Sequence, residues 1–278
     1  MGKKNKEEYD LTETELRQVQ EIQQELIGEI KRICKKCGIH FNMVGGTMLG
    51  AIRHQGHIPW DDDADIGFLR TEYEKFREAC KTELDSEKYY MQDLRDTEGY
   101  RWGYGKLRRK DTMFVRLGQE FMPYDQGIFI DLMPFDNVPD QWLVRRIHCF
   151  RCFLFRKLFW SEVGSRVEKN VWIKGIYKIM RLVPIKMVVN RYQRFINAGQ
   201  KHKTKLVLIL TFPTTKGVYG YERTWYTRLK SYQFGRLRLP GAKDYNGYLE
   251  VKYGDYRKLP PAEKRKVHSI SKLKLPEE

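Results

Sequence analysis

The stretch GGTMLGAIRHQGHIPWDDDADIG, residues 45–67, decides the fold of this chain. It opens with a Gly-Gly-Thr turn, becomes helical over Met48–Arg53 and then enters a loop that Pro59 keeps irregular. The acidic run that follows, Asp61–Phe68, is typical of a strand in its second half. Four carboxylates within five residues repel one another strongly, so this run indicates a bound cation. A solvated acidic loop is the alternative interpretation.

The spacing of the acids predicts a metal site. Residues two apart on a strand point to the same face, so Asp63 and Asp65 are expected to hold one divalent ion together. Carboxylate oxygens favour Mg²⁺ or Mn²⁺. The preceding turn, Gly45, Gly46 and Thr47, is expected to leave backbone N–H groups free at a helix start, where a phosphate group can bind.

On the N-terminal side of this stretch, the apolar residues recur with a helical period. The pattern predicts a helix over Leu11–Lys36, with Thr12 or Thr14 as its N-cap and Gly38 at its end. Ile39–Val44 is short and apolar and is expected to be a strand.

On the C-terminal side, a helix over Thr71–Lys81 is expected, with Thr71 as N-cap and Glu74 as its capping-box partner. Residues 141–196 are expected to be helical with a break at Pro184, and Thr211–Leu239 irregular. Strands are predicted over Tyr100–Arg108, Met113–Arg116 and Gly127–Leu132. This order of elements predicts an α+β core followed by a helical part.

Basic side chains near the acids are candidates for phosphate contacts. Arg53 and His54 follow the Gly-Gly-Thr turn by one or two helical turns. Lys106 and Arg108 alternate on a predicted strand beside aromatic residues and are candidates for binding a diphosphate. For Arg53 a plain surface role is the alternative, and for Lys106 and Arg108 a solvated strand edge.

The positive charge is concentrated in one region. Of a net charge of +16 for the 278 residues, residues 143–196 contribute +11, from thirteen Lys/Arg and two acids. Such a surplus calls for an anionic partner, namely nucleic acid, anionic lipid or a phosphate-bearing substrate. The region mixes bulky apolar residues with cations, as do helices that lie on an anionic membrane. A helical layer packed on the catalytic part, with its cations in water, is the alternative.

Composition excludes several classes of protein. Hydrophobic residues make up 41% and aromatic residues 13% of the chain, too many for a disordered protein. The apolar stretches are too short to cross a bilayer, and the start of the chain lacks a signal-peptide pattern. Five cysteines argue against a disulfide framework, and buried thiols explain their two CxxC pairs better than a zinc site. We expect a soluble, cytoplasmic protein.

A Gly-Gly turn followed by Asp-x-Asp resembles the nucleotidyltransferase superfamily that includes DNA polymerase beta. The resemblance implies a third acid on a later strand, and Asp131 in IFIDL matches it. The stretch from Gly45 to Phe76, the segment Ile128–Pro139 and the pattern YL…YGDY…PP from Tyr248 to Pro261 resemble the LicD family of phosphotransferases more closely.

This resemblance covers most of the chain and implies its architecture. The implied fold is an α+β, polymerase-beta-like mixed sheet with flanking helices, joined to a basic helical region. Residues 1–140 would form the catalytic core, and residues 141–278 would complete the substrate site within one compact unit. His57 departs from the family pattern, which more often has an apolar or aromatic residue there.

The resemblance also implies a reaction. LicD-like enzymes transfer a phospho-alcohol, most familiarly phosphocholine from CDP-choline, onto a sugar of a cell-surface glycan that is often lipid-linked. Asp63 and Asp65 would hold the metal, and Asp131 would hold a second ion or act as base. An aromatic cage would suit the choline cation, and its candidates are Trp60, Trp102, Tyr104 and Tyr124.

Two other functions compete with phosphocholine transfer. The same fold supports nucleotidyl transfer from an NTP to a small molecule, or transfer of ribitol or glycerol phosphate from the matching CDP-alcohol. A nucleic-acid-binding protein without catalysis would need a binding module that the sequence lacks, and its acids would repel phosphate. We therefore expect no nucleic-acid partner, and peripheral contact with the inner membrane face is an open alternative.

Overall fold

The computed structural model describes residues 8–215, 217–265 and 267–277. Its helices are α1 (Glu13–Cys37), α2 (Gly45–His54), α3 (Arg70–Glu83), α4 (Trp142–Val167), α5 (Val171–Met180), α6 (Ile185–Gly199), α7 (Thr224–Thr227) and α8 (Tyr245–Tyr253). Its strands are β1 (Asn42–Met43), β2 (Asp65–Leu69), β3 (Tyr89–Gln92), β4 (Gly105–Arg109), β5 (Met113–Arg116), β6 (Phe129–Val138), β7 (Leu206–Leu208), β8 (Tyr221–Glu222), β9 (Leu229–Phe234), β10 (Leu237–Ala242) and β11 (Ile270–Lys274). The chain is thus a mixed α+β protein, as its pattern predicts.

The first helix follows its sequence signals closely. Thr12 is the N-cap of α1, and its side chain and that of Glu15 form a reciprocal capping box. Gly38 ends the helix with φ 64°, a left-handed conformation that glycine adopts without strain. The predicted helix is confirmed, and its apolar face is fully buried along residues such as Leu26 and Ile30.

The main sheet has the order β1-β2-β6-β4-β3, with β7 paired to the far end of β6 and β8 to β7. Strands β2 and β6 are parallel, and the other pairs are antiparallel. The central strand β6 is buried throughout its ten residues, and α1 and α3 pack against it. In this register Asp65 lies beside Asp131, and Lys106 lies beside Asp131 from the other side.

Two sequence-based boundaries were wrong. Strand β1 has two residues rather than the six of Ile39–Val44. Helix α3 begins at Arg70, and its N-cap Leu69 makes no side-chain cap bond, so Thr71 does not cap it. At the start of the helix, the buried guanidinium of Arg70 binds Asp136 of β6 with two hydrogen bonds of 2.8 and 2.7 Å.

The segment 211–239, expected to be irregular, contains part of a hairpin. Strands β9 and β10 pair in antiparallel register, from Leu237 opposite Phe234 to Ala242 opposite Leu229. Gly235 makes the tight connection possible with φ 56°. The hairpin packs against β1 and α2, so it covers the loop that precedes the acidic run.

The helical region joins the sheet through a second apolar cluster. Phe159 of α4 and Tyr192 of α6 pack with Tyr100 and Leu94 from the turn-rich segment before β4. Helix α6 begins directly after Pro184, so the predicted break there is confirmed. Among the described residues, no helix combines the length and apolar character needed to cross a membrane.

Candidate active site

The acidic run is held in place through its backbone. Gln23 of α1 donates to the carbonyl of Asp62 at 2.8 Å, and Gln20 donates to the carbonyl of Asp61 at 2.8 Å. The amide of Asp131 donates to the carbonyl of Ala64 at 3.0 Å. The carboxylates are therefore positioned by a main chain that is hydrogen-bonded on both sides.

The N-terminus of α2 packs directly on the acids. The Asp65 amide donates to Oγ1 of Thr47 at 2.7 Å. A Cβ atom on Gly45 would lie 2.5 Å from Oδ2 of Asp65, and one on Gly46 would lie 2.8 Å from Oδ2 of Asp61. Both positions need glycine because the carboxylates occupy the space of a side chain.

The Gly-Gly-Thr segment is therefore not a separate turn before a helix, as predicted, but the first turn of α2. Val44 is the N-cap of this helix and provides no side-chain cap. Gly45, at φ 57°, donates its N–H to the hydroxyl of Tyr248 at 2.8 Å, so that donor is engaged by the protein. The helix N-terminus still directs its positive end at the carboxylates.

Four carboxylates share this site: Asp61, Asp63, Asp65 and Asp131. Burial and the charges of Asp63 and Asp62 raise the pKa of Asp61 to about 8. Burial and the neighbouring charges of Asp63 and Asp131 raise the pKa of Asp65 well above its usual range. The pKa of Asp131 is also raised, because burial outweighs the charge of Lys106. Burial is the first cause of each of these shifts, and neighbouring carboxylates add to it.

Two lysines provide part of the compensation. Lys106 forms a buried ion pair with Oδ1 of Asp131, and burial lowers the pKa of this lysine to about 8. Lys252 of α8 lies 3.3 Å from the position of a Cβ atom on Gly45. Burial alone would lower the pKa of Lys252. The pKa is nevertheless raised, because the electrostatic interactions with Tyr248, Tyr253 and Asp65 outweigh burial.

Asp62 has a different role from its neighbours. Its carboxylate is fully buried and accepts from Nη1 of Arg116 at 2.6 Å and from the main-chain N–H of His268 at 3.0 Å. Burial alone would raise the pKa of Asp62, but the hydrogen bond from His268 and the charge of Arg116 lower it. Asp62 thus fastens β5 and the segment before β11 to the acidic run.

The donor set fits a hard divalent cation. The four carboxylates of the site offer only oxygen atoms, which suit Mg²⁺ or Mn²⁺, and such an ion would reduce the mutual repulsion of these neighbouring charges. Ligand atoms of Asp61, Asp63 and His268 also lie within 4.8 Å of one another. This cluster contains Asp63 of the predicted ligands, whereas Asp65 and Asp131 lie in register on β2 and β6. The set Asp63, Asp65 and Asp131 stays a prediction.

Two predicted phosphate ligands lie elsewhere. Arg53 is in the last turn of α2, where its guanidinium donates to the carbonyl of Tyr256 at 3.1 Å and to Nε2 of His54 at 2.9 Å. It also lies 6.0 Å from the Trp60 ring centre, with Arg265 at 4.9 Å from the same ring. The structure thus places Arg53 and His54 at the opposite end of α2 from the acids that pack on Gly45.

The four residues proposed for an aromatic cage lie in separate parts of the structure. Trp102 and Tyr104 line one apolar pocket of about 380 Å³ together with Trp160 and Phe212. Tyr104 reaches the acids because the ammonium of Lys106 lies 5.6 Å from the centre of its ring. Trp60 packs near Arg53, and Tyr124 packs on Tyr100 at 5.4 Å. These candidate residues therefore do not form one cage.

Sequence reasoning missed several residues of the site. Asp61 was within the quoted run but was not assigned a role, although alternation along the chain places it on the face of Asp63 and Asp65. Lys252 and Tyr248 lie in the YL…YGDY segment that carried the family resemblance. The family resemblance of that segment was the signal that could have assigned these two residues to the site.

Comparison of the sequence with known proteins finds one matching family and three similar proteins. Residues 38–155 match the family described as LicD/FKTN/FKRP, nucleotidyltransferase domain. The chain is 27% identical over 261 residues to the lipopolysaccharide cholinephosphotransferase LicD of Haemophilus influenzae, covering 92% of this chain and 96% of that protein. Shorter matches link it to uncharacterized proteins of Rickettsia typhi (39% over 54 residues, 19% of this chain and 18% of that protein) and Rickettsia prowazekii (44% over 45 residues, 16% and 17%).

The family match includes α2, the acidic run and Asp131, and the similarity to the Haemophilus protein extends over the basic helical region and α8. The chain is therefore similar to the LicD family of phosphotransferases, with the family match covering residues 38–155.

Proposed function

We propose that this protein transfers phosphocholine from CDP-choline to a sugar hydroxyl of a cell-surface glycan precursor and releases CMP. The observation that supports it most directly is the in-register pair Asp65 and Asp131, with Asp63 beside them, at the N-terminus of α2. The family that residues 38–155 match is described as a nucleotidyltransferase domain, which supports this use of the acids. The choice of phosphocholine rests on the similarity to the Haemophilus cholinephosphotransferase.

The proposed step is a displacement at the β-phosphorus of the donor. The sugar oxygen forms a bond to that phosphorus, the bond to the oxygen bridging the two phosphorus atoms breaks, and CMP leaves with the bond's electron pair. The proton of the sugar hydroxyl passes to a carboxylate, and Asp131 is our candidate for that base. Its raised pKa makes it a stronger proton acceptor than an ordinary aspartate.

A bound Mg²⁺ or Mn²⁺ would neutralise the phosphate oxygens of the donor, and Asp63 and Asp65 would hold it. Asp131 would hold a second ion if it does not act as the base. The protein adds positive charge of its own. Lys106 is paired with Asp131 and orients this carboxylate. Lys252 lies beside Gly45, where its ammonium would attract the diphosphate.

The acceptor of such a reaction is part of a cell-surface glycan, and the Haemophilus relative is named for lipopolysaccharide. We propose a lipid-linked glycan acceptor at the cytoplasmic face of the membrane. Choline differs from ribitol and glycerol in its positive charge, so a panel of CDP-alcohols separates these donors. Nucleotidyl transfer from an NTP is the competing reaction and would release pyrophosphate instead of CMP.

The test measures CMP release by the full chain with Mg²⁺, using CDP-choline, CDP-ribitol, CDP-glycerol and an NTP as donors. A thermal shift with each donor is recorded in parallel, because it reports binding of the donor whether or not an acceptor is present. We expect CDP-choline to raise the melting temperature and release CMP, and Asp65→Asn to lower the rate by at least about 10³-fold. Asp111→Asn removes the same charge at an exposed turn and should leave the rate unchanged. Pyrophosphate release from an NTP, without CMP release from any CDP-alcohol, would overturn the proposal.

A further inference from the structure

Helix α4 is apolar on two opposite faces. His148, Cys152 and Phe159 are buried against the protein. About half a turn away, the face formed by Leu143, Ile147, Phe150 and Leu154 is exposed, with exposed fractions of 64%, 57%, 60% and 41%. A helix on the surface of a protein in water normally has a polar outer face. The exposed apolar face of α4 is therefore typical of a helix whose outer side, like its inner side, is covered by a partner.

Helix α5 continues this outer face. It packs on the C-terminal half of α4 through Tyr177, whose hydroxyl accepts from Lys157 at 2.9 Å and whose ring covers Gly164. Lys157 and Gly164 follow Phe150 at helical spacing, so α5 lies on the same side of α4 as the exposed stripe.

The side of α5 away from α4 is again apolar. Trp172, Ile176 and Ile179 share one stripe at i, i+4 and i+7, and Trp172 is 86% exposed. Leu182 follows directly after the helix and is 80% exposed. We call the exposed stripe of α4 and this side of α5 the outer helical face.

Cations surround the outer helical face. Arg146 lies on the same side of α4 as Phe150, and Lys169 and Lys178 flank the stripe of α5. The two acids of the region offset little of this charge, because Glu162 is bound by Arg166 and Arg181 and the region keeps a charge of +11 after both acids are counted. Two copies of a face within a region of charge +11 would repel each other, whereas anionic lipid would be attracted.

We propose that the outer helical face docks on an anionic lipid bilayer, with the apolar stripes at the level of the acyl chain boundary and the cations among the headgroups. Exposed tryptophans at the two ends of the face, Trp142 at 65% and Trp172 at 86%, suit the interfacial position that this side chain prefers. The helices would lie on the bilayer and would not cross it.

The docked orientation brings the membrane near the candidate active site. The apolar pocket lined by Trp102 and Tyr104 is also lined by Lys157 and Tyr177, which connect α4 and α5. At its other side, Tyr104 contacts Lys106, the partner of Asp131. An acceptor anchored in the bilayer would thus have a short path to the acids, a consequence that rests on the proposed function, whereas docking itself does not.

The test is sedimentation of the full chain with vesicles of phosphatidylcholine alone or with one quarter phosphatidylglycerol, without any donor. We expect the anionic vesicles to bind at least about ten-fold more tightly than the neutral ones. The double variant Trp172→Glu/Ile176→Glu should weaken binding by at least ten-fold. Lys178→Glu should weaken it by roughly five-fold or more, since one surface cation contributes about that factor. Leu259→Glu is the matched control, at an exposed leucine outside the helical region, and should bind as the parent does.

Brominated lipid gives a readout of position. It should quench part of the tryptophan fluorescence, and Trp172→Phe should reduce that quenching while it retains binding. Docking is overturned if the parent binds neutral vesicles equally well or neither kind. It is also overturned if the lipid-free protein forms a dimer in sedimentation equilibrium that the double variant abolishes. Because no donor is present, these outcomes are independent of whether CMP release is observed.

Discussion

The loop before the acids contains a histidine whose protonation should control stability. The Nε2 atom of His57 is buried with no hydrogen-bond partner among the described residues, and its ring packs on Phe234 at 4.7 Å. Burial lowers the pKa of His57 from 6.5 to about 4. The unfolded chain therefore binds a proton between pH 6.5 and pH 4 that the folded protein does not bind.

The sign and size of the effect follow from this difference. The folded pKa is depressed, so stability is greatest above pH 6.5 and is lost as the pH falls towards 4. At pH 5 the cost relative to pH 7 is about 2 kcal/mol for one such histidine. His148, stacked on Phe195 at 4.7 Å, also has its pKa lowered by burial to about 4 and should contribute a similar amount.

The assay is urea denaturation at pH 7 and pH 5 for the parent, His57→Phe and the control His202→Phe. The ring of His202 is exposed, so this control should keep the parent's pH dependence. Asp61 acts in the opposite direction, because its raised pKa gives stability at low pH that is lost as the pH rises through about 8. Comparing each variant with the parent at the same pH cancels that contribution. A parent and a His57→Phe variant that lose equal free energy between pH 7 and pH 5 would refute the reasoning.

Three further perturbations test the site and its supports. Asp136→Asn removes the buried charged partner of Arg70 and leaves it with Glu74 at 3.2 Å, whose side chain is more than a third exposed. The variant should cost about 3–5 kcal/mol in urea denaturation; a cost under about 1 kcal/mol would contradict it. Gly50→Ala would place a Cβ atom 2.3 Å from the carbonyl oxygen of Gly56, and should lower the free energy of unfolding by about 1–3 kcal/mol. Mg²⁺ should raise the melting temperature of the parent but not of Asp65→Asn, and equal shifts for both would remove Asp65 from the metal site.

Elements with local signals could be predicted from the sequence. The capping box of Thr12 and Glu15 and the left-handed Gly38 bound α1 within the chain itself. Strand β5 occupies the predicted residues, Met113–Arg116. The starts of α2 and α3 could not be predicted, because distant partners decide them. Arg70, the first residue of α3, donates a hydrogen bond to Asp136 of β6.

The residues of the candidate site also divide into those with a local sequence signal and those without one. Alternation along one strand predicted Asp63 and Asp65 as a pair, and the resemblance to the nucleotidyltransferase superfamily added Asp131. Lys252 comes from almost two hundred residues further along the chain, and no periodicity connects it with the acids. The phosphate role expected for Arg53 assumed that a residue near in sequence is near in space. An α2 helix of ten residues instead carries Arg53 to its far end.

The acidic run combines two tasks because successive residues of an extended chain face opposite sides. Asp61, Asp63 and Asp65 face the N-terminus of α2, where burial keeps their mutual repulsion strong. Asp62, on the other side, ties down Arg116 of β5 and His268 before β11. Arg116 also reaches Oδ2 of Asp63 at 3.3 Å, so one guanidinium touches both faces of the run. A change in the β5–β11 pair would therefore alter the charge balance of the metal-binding face, although neither strand belongs to the main sheet.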